Sequence, residues 1–101
     1  MSSPNIDSFL FDEENEDKIA SHGLSVRDVM QILDHIHIVQ PNKRGRRGLY
    51  LIIGRNKAGR CISVPIEKTR IKTTWRPITA WLSNKGDETM LQKKEQYEKG
   101  L

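Results

Sequence analysis

Residues 49–66 read Leu-Tyr-Leu-Ile-Ile-Gly-Arg-Asn-Lys-Ala-Gly-Arg-Cys-Ile-Ser-Val-Pro-Ile, two short apolar runs hinged on Asn56-Lys57-Ala58-Gly59. The runs are rich in branched residues and the hinge carries a glycine where a hairpin turn wants positive φ, so the stretch predicts a hairpin of Leu49–Ile53 with Cys61–Ile66. Pro65 has no backbone donor and predicts an edge or a bulge near the end of the second strand. Upstream, His35-Ile36-His37-Ile38-Val39 alternates as a strand and stops at Pro41, and residues 42–48, with two glycines and four bases, predict an exposed loop. Downstream, a basic connection from Lys68 to Lys72 leads to a strand over Thr74–Leu82, interrupted locally by Pro77. In such an antiparallel meander successive loops alternate between the two ends of the sheet, so the 42–48 and 68–72 loops share one end and the hairpin takes the other.

The flanks are helical. Asp12 is a good N-cap for a helix whose first turn holds Glu13, Glu14 and Glu16, with Ile19, Asn15 and His22 on the inner side and an end near His22-Gly23. Ser25, with Asp28 three residues on, starts a second helix whose apolar side is Val26, Val29, Met30, Ile32 and Leu33. Phe9-Leu10-Phe11 is short enough for one brief leading strand, and residues 1–8 form a polar, flexible arm. After a break at residues 83–87, a charged helix over Glu88–Tyr97 occupies the tail, residues 86–101. The expected fold is therefore α+β: two N-terminal helices, an antiparallel sheet of about four strands and a C-terminal helix, in one domain over residues 1–101.

Of the 101 residues, 36% are apolar and six are aromatic, enough for one modest core and too few for a deep small-molecule pocket beside it. The longest apolar run, Leu49–Ile53, is far below the roughly 20 residues that span a bilayer, and no apolar stretch follows the polar start, so a cytoplasmic protein with no membrane partner is expected. The single cysteine, Cys61, rules out an internal disulfide and a cysteine zinc cluster.

The net charge of +4 conceals a division. Residues 1–34 carry eight acids against Lys18 and Arg27, whereas residues 35–85 carry twelve bases against one acid, Glu67. That excess points to a nucleic-acid or other phosphate-rich partner, with Lys43, Arg44, Arg46, Arg47, Arg60, Arg70 and Lys72 as the contacting bases. Arg55, Arg60 and Arg76 stand at strand edges, where a guanidinium can be aimed to grip a phosphate with paired hydrogen bonds; the plainer use is a stem packed over the sheet rim. His22 suits either a helix C-terminus or proton transfer near neutral pH. His35 and His37 would share a face of a strand but lack a convincing third metal ligand, so neither metal nor cofactor is expected. Trp75 and Trp81, six apart on the last strand, would also share a face, packing in the core or stacking on a base.

Phe9-Leu10-Phe11-Asp12-Glu13-Glu14-Asn15, Lys18 and His22-Gly23-Leu24-Ser25, followed by Leu51-Ile52-Ile53-Gly54-Arg55, Gly59-Arg60 and Arg76-Pro77-Ile78-Thr79-Ala80, resemble in order the motifs of BrnT-like toxins. The resemblance covers residues 9–81. It implies a RelE-like fold, metal-independent RNA cleavage by the toxin of a type II toxin–antitoxin pair, an antitoxin partner in a hetero-oligomer, and Lys18, His22, Arg55, Arg76 and Thr79 as catalytic candidates. The chain departs from that pattern at Trp81, where the family commonly has arginine, and around residues 83–87, where it carries an insertion. The residues also leave open a non-catalytic basic module that binds nucleic-acid backbone or an acidic protein, including a homodimer pairing acidic helices with a neighbour's sheet.

Overall fold

A computed structural model describes residues 4–100. Its class is α+β, and the sheet has six strands: β1 (Ser8–Phe9), β2 (His37–Pro41), β3 (Tyr50–Arg55), β4 (Cys61–Lys68), β5 (Thr74–Pro77) and β6 (Trp81–Leu82), in the order β1-β5-β4-β3-β2 with β6 also on β4. The helices are α1 (Glu13–Ser21), α2 (Val26–Gln31), which continues into a 3₁₀ turn at Ile32–Asp34, and α3 (Lys85–Lys99).

The caps foreseen for the first two helices form. The Asp12 side chain accepts from the Asn15 N–H at 2.9 Å while Asn15 Oδ1 accepts from the Asp12 N–H at 2.9 Å. Asn15 is fully buried, and its Nδ2 donates to the carbonyls of Leu10 and Pro77, both at 3.0 Å, which ties α1 to the end of β5. Ser25 and Asp28 reciprocate in the same way at the start of α2, and Asp28 Oδ1 accepts from Asn56 Nδ2 at 3.0 Å, fastening that helix to the hairpin. Against the opposing pull of burial, the hydrogen bonds from Ser25 and Asn56 hold the Asp28 carboxyl below the usual carboxylate range. In the hairpin itself Gly59 has φ +86°. Gly54 is required for a different reason: a Cβ there would stand 2.9 Å from Ile32 Cβ, so its absence lets the 3₁₀ turn lie directly on β3.

The sheet separates two apolar layers. Ile52, Ile62, Val64, Ile66 and Trp75 pack with Ile19, Leu24, Val29 and Ile32 from the first helices. Leu51, Ile53 and Cys61 pack with Leu91 of α3 on the opposite face. The C-terminal helix therefore covers a face of the sheet, and it begins at Lys85, earlier than expected, because Asn84 caps it by accepting from the Asp87 N–H at 2.8 Å.

Several expectations are corrected. The run Thr74–Leu82 is two strands: residues 78–80 leave the ladder between them, the Ile78 N–H donating to the Pro65 carbonyl at 2.8 Å. The break resets the alternation, so Trp75 lies in the layer under α1 and α2 and Trp81 packs in the layer under α3, on opposite faces. The same break explains Pro65, which sits inside the central strand β4 rather than at an edge. Its carbonyl faces the gap between β5 and β6, and in an antiparallel strand its missing N–H faces the same way, where no ladder bond is lost. The sheet is not wholly antiparallel either, since β1 pairs with β5 in parallel and comprises Ser8 and Phe9 rather than residues 9–11. His35 precedes β2, so it does not alternate with His37; its carbonyl lies 2.8 Å from His37 Nδ1. Part of the expected arm, residues 1–3, lies outside the described residues, and the remainder is docked: the Asn5 carbonyl accepts from Trp75 Nε1 at 3.1 Å, and the Asp7 N–H donates to the Thr73 carbonyl at 2.9 Å.

Candidate nucleic-acid interface

The two basic loops do share one end of the sheet, with the hairpin at the other. Asn42 folds the first loop on itself, its Nδ2 donating to the carbonyls of Arg47 at 2.9 Å and Gly48 at 3.3 Å, so that Arg46 and Arg47 are carried on a short, internally bonded turn. Beside it lies Arg76 of β5, directly opposite Glu67 of β4. Its Nε donates to Asp12 Oδ2 at 2.7 Å, its NH2 to Asp12 Oδ1 at 3.1 Å and its NH1 to Glu67 Oε2 at 2.9 Å. The paired hydrogen bonds raise the Arg76 guanidinium further above its ordinary value and, together with the Asn15 N–H, hold the Asp12 carboxyl below its own.

Glu14 completes this cluster. One oxygen, Oε1, stands 3.5 Å from Lys18 Nζ, 3.5 Å from Arg47 NH1 and 3.5 Å from Arg76 NH2. The nearby Lys18 ammonium, and then Arg76, keep the Glu14 carboxyl below the usual range, although the side chain is 57% exposed. Three cations from a helix, a loop and a strand thus converge on one exposed anionic oxygen. In water a lone surface ion pair contributes about 0–1 kcal/mol, so the significance of the arrangement lies in its shape rather than in its stability.

A groove opens next to the cluster. One hollow is lined by Arg46, Arg47, Pro65, Thr79 and Trp81, and a second by Gln40, Lys43, Arg46, Leu51, Trp81 and Asp87. Arg46, Asn42 and Trp81 belong to both, which makes them one continuous depression beside the first turn of α3, on the same face of the sheet as that helix. The hollows, of about 290 and 170 Å³, adjoin along the surface, an outline that suits an extended chain. Thr79 Oγ1 is buried in this wall with no hydrogen-bond partner among the described residues, and a buried hydroxyl in that condition has both donor and acceptor capacity to offer.

Of the candidates read from the sequence, Lys18, Arg76, Thr79, Lys43, Arg46 and Arg47 are gathered at this end. Arg44 is exposed on the same loop, and Arg70 and Lys72 lie on the neighbouring loop, where Lys72 lines a separate hollow with Tyr50 and Trp75. Arg55 and His22 are not part of the group. Arg55 pairs across the ladder with Cys61 and Arg76 with Glu67, six residues apart on one strand, which is roughly 20 Å. Arg55 instead clamps α3: Nε and NH2 donate to Glu95 at 2.8 and 3.0 Å, NH1 donates to the Gly59 carbonyl at 3.0 Å, and Glu88 stands 3.6 Å away. These bonds raise the Arg55 guanidinium above its ordinary value. Arg60, on the hairpin, is at Arg55's end. His22, expected on the inner side of α1, is instead exposed at its C-cap, ten residues and roughly 15 Å along the helix from Asp12. Glu14, Asn42, Asp87 and the groove position of Trp81 are the features of the candidate site that sequence reasoning missed. The departure at Trp81 was visible as a residue difference, whereas the sharing of Glu14 by bases as far away as Arg76 leaves no local trace. No family model matches the chain, and no curated protein sequence does.

Proposed function

We propose that this protein is an RNA-binding, metal-independent ribonuclease of the BrnT-like, RelE-fold toxin kind, working at the Lys18–Arg47–Arg76 end of the sheet. The observation that carries the reading is the threefold sharing of Glu14 Oε1, because the carboxylate sits where a phosphate oxygen would meet the same three cations. Two of these bases, Lys18 and Arg76, are positions that the resemblance names independently, and Thr79 on the groove wall is a third. RNA entering the groove displaces Glu14. The freed carboxylate accepts the proton of a ribose 2′-hydroxyl, and that oxygen attacks the adjacent phosphorus. Arg76 and Arg47 stabilise the added negative charge, Thr79 orients a phosphate oxygen, and Lys18 gives a proton to the departing 5′-oxygen. The P–O5′ bond breaks as the O2′–P bond forms, leaving a 2′,3′-cyclic phosphate and a 5′-hydroxyl. The resemblance adds a cytoplasmic antitoxin partner that neutralises the activity.

Lys18 is half-exposed and away from the core, so Lys18→Ala tests the chemistry without disturbing the fold. RNA cleavage is expected to persist in EDTA and to fall by about 10²–10⁴-fold in Lys18→Ala at an unchanged melting temperature. Intact RNA after incubation with folded, antitoxin-free protein overturns the ribonuclease reading. One observation favours a second reading, a groove that binds RNA backbone without cutting it: the Arg76 guanidinium is already bonded to two carboxylates and close to a third. Salt-sensitive binding with no cleavage selects that alternative.

A further inference from the structure

Trp81 takes a position unlike that of the other tryptophan. Trp75 is 4% exposed, bonded through Nε1 to the Asn5 carbonyl and edge-on to Tyr50, with ring centroids 5.5 Å apart. Trp81 is half-buried, rests against the apolar layer under α3, and lines both hollows of the groove. An indole on the floor of a basic groove is the arrangement by which proteins hold single-stranded nucleic acid, because the ring stacks on a base while flanking arginines follow the phosphates. A carboxylate stands beside it. Asp87, in the first turn of α3, lines the same hollow, and its Oδ2 accepts from the fully buried Ser63 Oγ at 3.3 Å, with Ser63 Oγ in turn 2.7 Å from Ser83 Oγ. This contact anchors one oxygen of a group that would otherwise turn freely, and it leaves Oδ1 and the remaining lone pairs of Oδ2 for a ligand. A carboxylate inside a groove built for a polyanion is misplaced as a phosphate contact and well placed as an acceptor for base N–H groups.

We propose that Trp81 and Asp87 form a nucleobase subsite of this groove that prefers guanine, with Trp81 as the stacking platform and Asp87 accepting from the base edge. Guanine presents N1–H and the N2 amine side by side, matching the two oxygens of a carboxylate, whereas adenine, cytosine and uracil each present a single donor group on that edge. The proposal rests on the RNA reading given above and adds base selection to it.

The test uses the full chain with non-cleavable 2′-O-methyl pentamers of uridine carrying a central G, A, C or U. Affinity is read by anisotropy of an end label and stacking by tryptophan fluorescence, with Trp75→Phe used to isolate the Trp81 signal. The G pentamer is expected to bind most tightly and to quench Trp81. Trp81→Leu is expected to weaken binding by roughly 5–150-fold and to abolish the quenching. Asp87→Asn, which keeps an acceptor for Ser63, is expected to retain the quenching and lose the preference for G. Equal affinity for all four pentamers, unaltered by Trp81→Leu and without quenching, overturns this subsite and leaves the RNA reading intact. Failure of the folded wild-type protein to bind any pentamer overturns both.

Discussion

The two ends of the sheet each carry a strand arginine gripped bidentately by a carboxylate, and they serve different ends. At the hairpin end Arg55 faces Glu95 and Glu88, two acids to one base, and both acids belong to α3. At the loop end Arg76 shares Glu14 and Glu67 with Arg47, and Glu14 also with Lys18. The first arrangement uses up its cation in fastening a helix. The second gathers cations from three elements round an exposed anion that a stronger one can displace. An arginine in a salt bridge is therefore uninformative by itself; on the proposed reading, the number of other cations that share its partner, and the exposure of that partner, distinguish a clamp from a candidate binding site.

The largest effect that can sharpen this contrast lies beneath the Arg55 clamp. Leu91 is the buried apolar residue through which α3 enters the core, and Leu91→Ala is expected to cost about 2–5 kcal/mol in denaturant unfolding. Next, Arg55→Ala is expected to destabilise by about 1–3 kcal/mol through lost charged hydrogen bonds, while RNA affinity at fixed salt stays within twofold of wild type. A tenfold loss of RNA affinity in folded Arg55→Ala would break the contrast, since it would make the clamp part of the site.

The smallest effect is on acid stability. The folded protein holds Asp12 and Glu14 below their ordinary values of 3.8 and 4.5, so as pH falls the unfolded chain takes up those protons first. The contribution is present above those values and is lost as pH drops from about 5 through the lower folded pKa values. Unfolding followed from pH 6 to pH 2.5 is expected to show this loss, and Arg76→Leu is expected to flatten it.

Much of the scaffold was legible because its determinants are local. Asp12 as an N-cap, Ser25 with Asp28, and Asn56 with Gly59 each settle a cap or a turn within four residues, and each forms as its spacing demands. The inner position of Asn15 was legible too, although its bonds to Leu10 and Pro77 were not. The failures came where a distant segment decides the outcome. Pro65 looked like an edge residue because nothing near it in sequence announces that the chain leaves the ladder at residues 78–80, opposite its missing donor. The same break sends Trp75 and Trp81 to opposite faces, against the simple alternation of one strand. In the candidate site, the types and positions of Lys18, Arg76 and Thr79 were legible, but the separation of Arg55 from Arg76 depends on ladder register, and the role of Glu14 depends on the packing of a loop against a helix.

On the proposed reading, Glu14 occupies a phosphate position. Affinity for a non-cleavable single-stranded RNA, measured against salt concentration for wild type, Glu14→Gln and Arg47→Ala, tests it directly. Glu14→Gln is expected to bind more tightly, by about tenfold or less for the loss of one exposed competitor, and Arg47→Ala to show a salt slope shallower by about 0.7, the value for one lost phosphate contact on a single strand. Weaker or unchanged binding by folded Glu14→Gln, with the Arg47→Ala slope equal to that of wild type, would contradict it.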